Sequence, residues 1–62
     1  MTHNSERALF RHMLMYVLAV KDWEFEVDDH SEMIFVLGNR EIVTANMSGE
    51  QIQEILNEVL RW

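Results

Sequence analysis

Cysteine and proline are absent from this 62-residue chain, glycine occurs twice, and five bases face eleven acids. Without cysteine there is no disulfide, no thiolate metal site and no cysteine nucleophile. No Gly-rich phosphate loop, nucleophile elbow or His-Glu-x-x-His pattern occurs. The shortage of bases removes the footprint of direct nucleic-acid binding. A net charge of −6 also disfavours anionic membranes. Long hydrophobic runs are missing too: the longest, Met13 to Val20, is eight residues, where a membrane span needs about twenty. Arg7 and Arg11 precede that run, but acidic strand-like sequence follows where a secretory leader would carry small residues. The chain reads as soluble and cytoplasmic, a single domain over 1–62 without repeats or linkers.

What is present is enough to fold. At 48% hydrophobic the chain is too apolar for disorder. A domain of this size nevertheless buries only about 60% of its unfolded surface, and the usual staples of small proteins are missing. Self-association is therefore an expectation.

Asn4 or Ser5 can cap a first helix reaching about Lys21. Trp23-Glu24-Phe25-Glu26-Val27-Asp28 alternates with the period of a half-buried strand. Asp29-His30-Ser31 reads as a turn, Met33 to Leu37 as a second strand and Ile42 to Ala45 as a third. Gly38-Asn39 marks a two-residue hairpin between the last two. Ser48 with Gln51 forms a capping box opening the second helix, and Met47 with Ile52 occupies the staple positions. Ile52, Ile55, Leu56, Val59, Leu60 and Trp62 then fall on one arc of that helix, opposite Glu50, Glu54, Glu58 and Arg61. The order is αβββα, an α+β fold: a three-stranded antiparallel meander with two helices on one face.

Parity decides the core. A two-residue turn at Gly38-Asn39 pairs Phe35 with Ile42, placing Met33, Phe35, Leu37 and Ile42 on one face and Ile34, Val36, Val43 and Ala45 on the other. A first turn of three or five residues adds Trp23, Phe25 and Val27 to the Phe35 side, which gathers the large side chains; a four-residue turn sends them to the Ile34 side.

Two surfaces are left over. The first helix is apolar nearly all round. Leu9, Met13, Tyr16, Val17 and Val20 form an arc that can face the sheet; Leu14, Met15 and Leu18 point away beside Arg7 and Arg11. That second face either touches the other helix or meets a partner or second copy. Charge is segregated as well. Residues 1–21 carry Arg7, Arg11 and Lys21 against Glu6, whereas residues 22–61 carry ten acids against Arg40 and Arg61. Glu24, Glu26 and Asp28 share one side of the first strand, with Asp29 following. Glu50, Glu54 and Glu58 are spaced i, i+4, i+8 on the second helix, where like charges repel. Solvated surface is one reading of these acids. The other is an anionic face that attracts a basic partner, chiefly by raising the on-rate.

Catalytic and metal chemistry find little footing. Ser5 and Ser48 are caps, Ser31 lies in a turn and Thr44 in a strand. Asp28-Asp29-His30-Ser31-Glu32 offers three carboxylates and an imidazole in five residues, but without the glycine and spacing of a calcium loop; these are also ordinary turn residues. His3 and His12 read as surface or interface. No catalytic residues, no metal and no cofactor are expected.

In length, acidity and element order, with Asp22-Trp23-Glu24-Phe25-Glu26-Val27-Asp28-Asp29 and the Glu50/Glu54/Glu58 stripe as the matching features, the chain resembles small phage-encoded inhibitors of bacterial defence, anti-CRISPR proteins especially. The likeness is of architecture and charge, not of motif. It implies a non-enzymatic protein, acting in a bacterial host cell, whose acidic surface occupies the basic groove of a nucleic-acid-processing protein and inhibits it, as a nucleic-acid mimic. The alternative is a homodimeric adaptor or regulatory protein using Arg7, Arg11, Leu14, Met15 and Leu18, with the acids only solubilising.

Overall fold

The computed structural model describes residues 3–62, with side chains from Glu6 onward. Its elements are α1 (His3–Val20), β1 (Glu26–Val27), β2 (Met33–Leu37), β3 (Arg40–Val43), a 3-10 turn (Thr44–Asn46) and α2 (Gly49–Arg61). The sheet is antiparallel in the order β1-β2-β3. This is the α+β fold expected from the sequence. Because α1 begins at His3, Asn4 and Ser5 lie inside its first turn instead of capping it. The side chains of His3, Asn4 and Ser5 lie outside the described residues.

Register follows the turns. Leu37 pairs with Arg40 and Phe35 with Ile42 across Gly38-Asn39. Gly38 takes φ +66, the positive value that a two-residue hairpin needs at its first central position. The first turn has three residues, since Val27 pairs with Met33 and Asp28 N donates to Glu32 O at 3.0 Å. Ser31, at φ 64, takes the left-handed position that such loops require. Asp28 locks the turn through Oδ1, which accepts from the backbone N–H groups of His30 (2.8 Å) and Glu32 (2.9 Å). Trp23 and Phe25 accordingly pack toward the core, on the Phe35 side, while Val27 is nearly half open.

The strand expected over Trp23–Asp28 contracts to two residues, and the end of α1 explains why. Trp23 N donates to Leu18 O at 2.9 Å and Asp22 N to Ala19 O at 3.1 Å, with Asp22 left-handed at φ 59. This Schellman stop satisfies the last carbonyls of α1 and delivers Trp23 at an angle to β2. The Trp23 indole, in place of a strand amide, donates to Val36 O at 2.9 Å. Thr44 and Ala45, expected in the third strand, form the 3-10 turn instead.

The core is one cluster. Met33, Phe35, Leu37 and Ile42 come from the sheet, Leu14 and Leu18 from α1, and Ile52, Ile55, Leu56 and Val59 from α2. Both helices therefore cover the same sheet face. The capping box at Ser48 and Gln51 forms as expected. Leu60 and Trp62 do not join the apolar arc: both are exposed. Trp62 instead meets Trp23 edge-on at 5.8 Å between ring centroids and lies over Gly38.

The expected orientation of α1 is corrected. Leu14 and Leu18 are fully buried, and Met15 packs against the core beside them; none of the three forms an outward self-association surface. Leu9, Met13, Tyr16 and Val20, expected to face the sheet, are the exposed ones. The reason lies in Arg7 and Arg11, which share the stripe of Leu14 and Leu18 at i, i+4, i+7 and i+11. They turn inward because Glu32 meets them. Arg7 grips both oxygens of Glu32 at 2.9 Å each, and Arg11 Nη1 reaches Oε2 at 3.2 Å.

Candidate functional site

Covering one sheet face with both helices leaves the other open. Ile34 and Val36 point outward from β2, alternating with the buried Met33, Phe35 and Leu37. Glu26 pairs with Ile34 from one side and Glu41 with Val36 from the other. Where β1 ends and Trp23 leans away, the face deepens into an open concavity of about 850 Å³. Its lining combines four carboxylates (Asp22, Glu24, Glu26 and Glu41) and one cation, Lys21, with the apolar residues Trp23, Phe25, Ile34, Phe35 and Val36. The lining holds no histidine or hydroxyl side chain. Its chemistry is that of carboxylates interleaved with apolar and aromatic side chains, suited to recognition.

The acidic residues selected from sequence do not converge. Glu24 and Glu26 belong to this outer face. Asp28 has its carboxylate engaged by the turn backbone, and Asp29 is exposed at the tip of that turn. Glu50 and Glu54 are exposed on α2, away from the arc that packs on the inner face. Glu58 pairs with Arg40 at 2.6 Å, on the helix side of the sheet. One continuous patch of Glu24, Glu26, Asp28, Asp29, Glu50, Glu54 and Glu58 is thus corrected to three locations: the outer sheet face, the first turn, and α2 on the other side of the sheet. The separation follows from the register: with both helices on the Phe35 face, helix acids and outward strand acids must part. Glu41 is the member that sequence reasoning missed. Its signal was available, because two-residue turn parity places it beside Val36.

A second constellation is partly buried, with Thr44 its one fully buried member. Glu32 leaves the acidic run and turns inward, where its side chain is 15% exposed. Thr44 Oγ1 donates to Glu32 Oε1 at 2.9 Å and accepts from Met33 N at 2.7 Å. Arg7 extends the network to the Thr44 and Met47 carbonyls at 2.7 and 2.9 Å. It thereby ties α1 to the entrance of α2. Hydrogen bonds from Arg7 dominate the acidity of Glu32, with Thr44 and the Arg7 and Arg11 charges adding to them against desolvation. Together they hold its carboxyl down to about 2, and the same pairing raises the Arg7 pKa. Arg11 Nε is buried without a hydrogen-bond partner among the described residues. The network is structural: its carboxylate is already satisfied by two guanidiniums and a hydroxyl. With Glu32 and Asp28 so engaged, the Asp28–Glu32 stretch does not converge on a cation. Among the described residues, no three histidine or acidic side chains group as metal ligands, and no helix is long and apolar enough to cross a membrane.

No family model, curated protein or solved structure matches the chain.

Proposed function

We propose that this chain is a binding protein that lays the outer face of its sheet on a basic protein surface, of the kind nucleic-acid-processing proteins present, and blocks it. The observation that carries this reading is that Asp22, Glu24, Glu26 and Glu41 line one concavity together with the exposed Ile34 and Val36. Carboxylates a few ångströms apart resemble the charge spacing of a phosphate backbone. The exposed aliphatic side chains add contact that a solvated acidic face would lack. Charge steers the encounter and fixes orientation, and the apolar side chains hold the complex. Glu50 and Glu54, on the opposite side, have no part in it. The resemblance to small phage-encoded inhibitors supplies the inhibitory direction.

The test is affinity capture from cognate lysate at low and high salt, with partners identified by mass spectrometry. Wild type should retain a basic nucleic-acid-handling protein at low salt and release it at high salt. Glu26→Lys with Glu41→Lys should abolish capture, and Glu50→Lys with Glu54→Lys should leave it intact. Equal capture by both double variants would remove the sheet face from the mechanism.

A further inference from the structure

The inversion of α1 leaves its outward side bare. Leu9, Met13, Tyr16 and Val20 stand open by 57%, 44%, 71% and 66%. Their spacing of four, three and four residues is the seam of a helix that packs along another helix. His12 and Ala19 lie on the same side and are also exposed. We propose that this seam pairs with the same seam of a second copy, antiparallel about a two-fold axis near the middle of α1.

Charge selects the occupant. Two chains of net charge −6 repel, and the outer sheet face and the outward side of α2 both carry carboxylates. The α1 seam from Leu9 to Val20 carries none, so two copies can close there without bringing acids together. An antiparallel pairing sets Leu9 against Val20 of the second copy and Met13 against Tyr16. It also brings Glu6, exposed at one end of the helix, toward Lys21, exposed at the other. Neither has an ion-pair partner among the described residues. A parallel pairing would instead set Glu6 against Glu6.

The four apolar residues expose roughly 500 Å² per copy, so a symmetric pair buries at most about 1,000 Å² of them in total, the minimum for a specific interface and the size of a concentration-dependent dimer. A dimer so formed engages Lys21 at the margin of the concavity and leaves Glu26, Ile34, Val36 and Glu41 of both copies free. The proposal does not depend on what those residues bind.

Sedimentation equilibrium of the full chain, from low micromolar to several hundred micromolar, tests it. Wild type should shift from monomer to dimer with concentration. Tyr16→Glu should weaken the dimer by about a hundredfold or more, with circular dichroism showing an unchanged fold. Val36→Glu, on the sheet, should leave it unaltered. Glu6→Lys alone should weaken the dimer, and Glu6→Lys combined with Lys21→Glu should restore it, which a parallel pair or an unrelated partner helix would not reproduce. A wild type that stays monomeric throughout the range overturns the proposal, as does a dimer indifferent to Tyr16→Glu. Failure of the charge exchange to restore association overturns the antiparallel register.

Discussion

Replacing Glu32 by glutamine keeps the shape of the side chain while removing the charge that draws Arg7 and Arg11 inward. A carboxyl held at about 2 against an ordinary 4.5 corresponds to roughly 3 kcal/mol, at about 1.4 kcal/mol per tenfold. Arg7 keeps 21% of its side chain in solvent, and screening there brings the expected loss to about 2 kcal/mol at pH 7. A domain of this length has only about 3–9 kcal/mol in all, so Glu32→Gln should lower the melting temperature by about 15 °C. The sign of the pH dependence follows from the lowered pKa. Stabilisation is complete above about pH 4.5, where the unfolded carboxylate is also ionised, and is lost as pH falls through about 2. Urea unfolding of wild type and Glu32→Gln should therefore differ fully at pH 7 and by about a quarter as much at pH 2.5. Glu26→Gln, on the open sheet face, serves as the control and should change little at either pH. A Glu32 difference below about 0.5 kcal/mol at pH 7, or one of equal size at both pH values, would refute the argument.

Two further substitutions probe the backbone and the core. Asp22→Gly relieves a left-handed residue at the stop of α1 and should raise stability by up to about 1 kcal/mol in thermal melts; a loss would mean that the Asp22 side chain contributes more than its backbone strain costs. Leu18→Ala should cost about 2–5 kcal/mol in urea titrations, against less than about 1 kcal/mol for the exposed Leu9→Ala measured under monomeric conditions, and equal costs would reverse the orientation assigned to α1.

The parts of the fold written in local chemistry were legible from the sequence. Gly38-Asn39 set the hairpin register and Ser48 and Gln51 the start of α2. The side to which Trp23 and Phe25 pack was favoured only for gathering the large side chains, since the length of the first turn stayed open until the structure showed three residues. The face of α1 was not legible, because hydrophobic periodicity decides little on a helix apolar nearly all round. The arc from Leu9 to Val20 and the stripe of Leu14 and Leu18 are comparable, and two arginines on the second stripe point to solvent by ordinary rules. The deciding partner, Glu32, lies 21 residues beyond Arg11, within an acidic run that reads as uniformly exposed. The candidate site was half legible for a related reason. Strand parity separates outward from inward acids, yet the placement of helix acids depends on which sheet face the helices cover, and Glu41 counts only once β3 is paired.

The Trp23 indole has a consequence for how the open face can be recognised. Backbone zippering is the common route by which a sheet margin recruits a foreign segment, and it requires carbonyls and amides still vacant. Beyond the two residues of β1, the Val36 carbonyl is already taken by a side-chain donor of the protein's own. A strand added on that flank would find one carbonyl fewer to pair with, so it would have to gain its hold elsewhere.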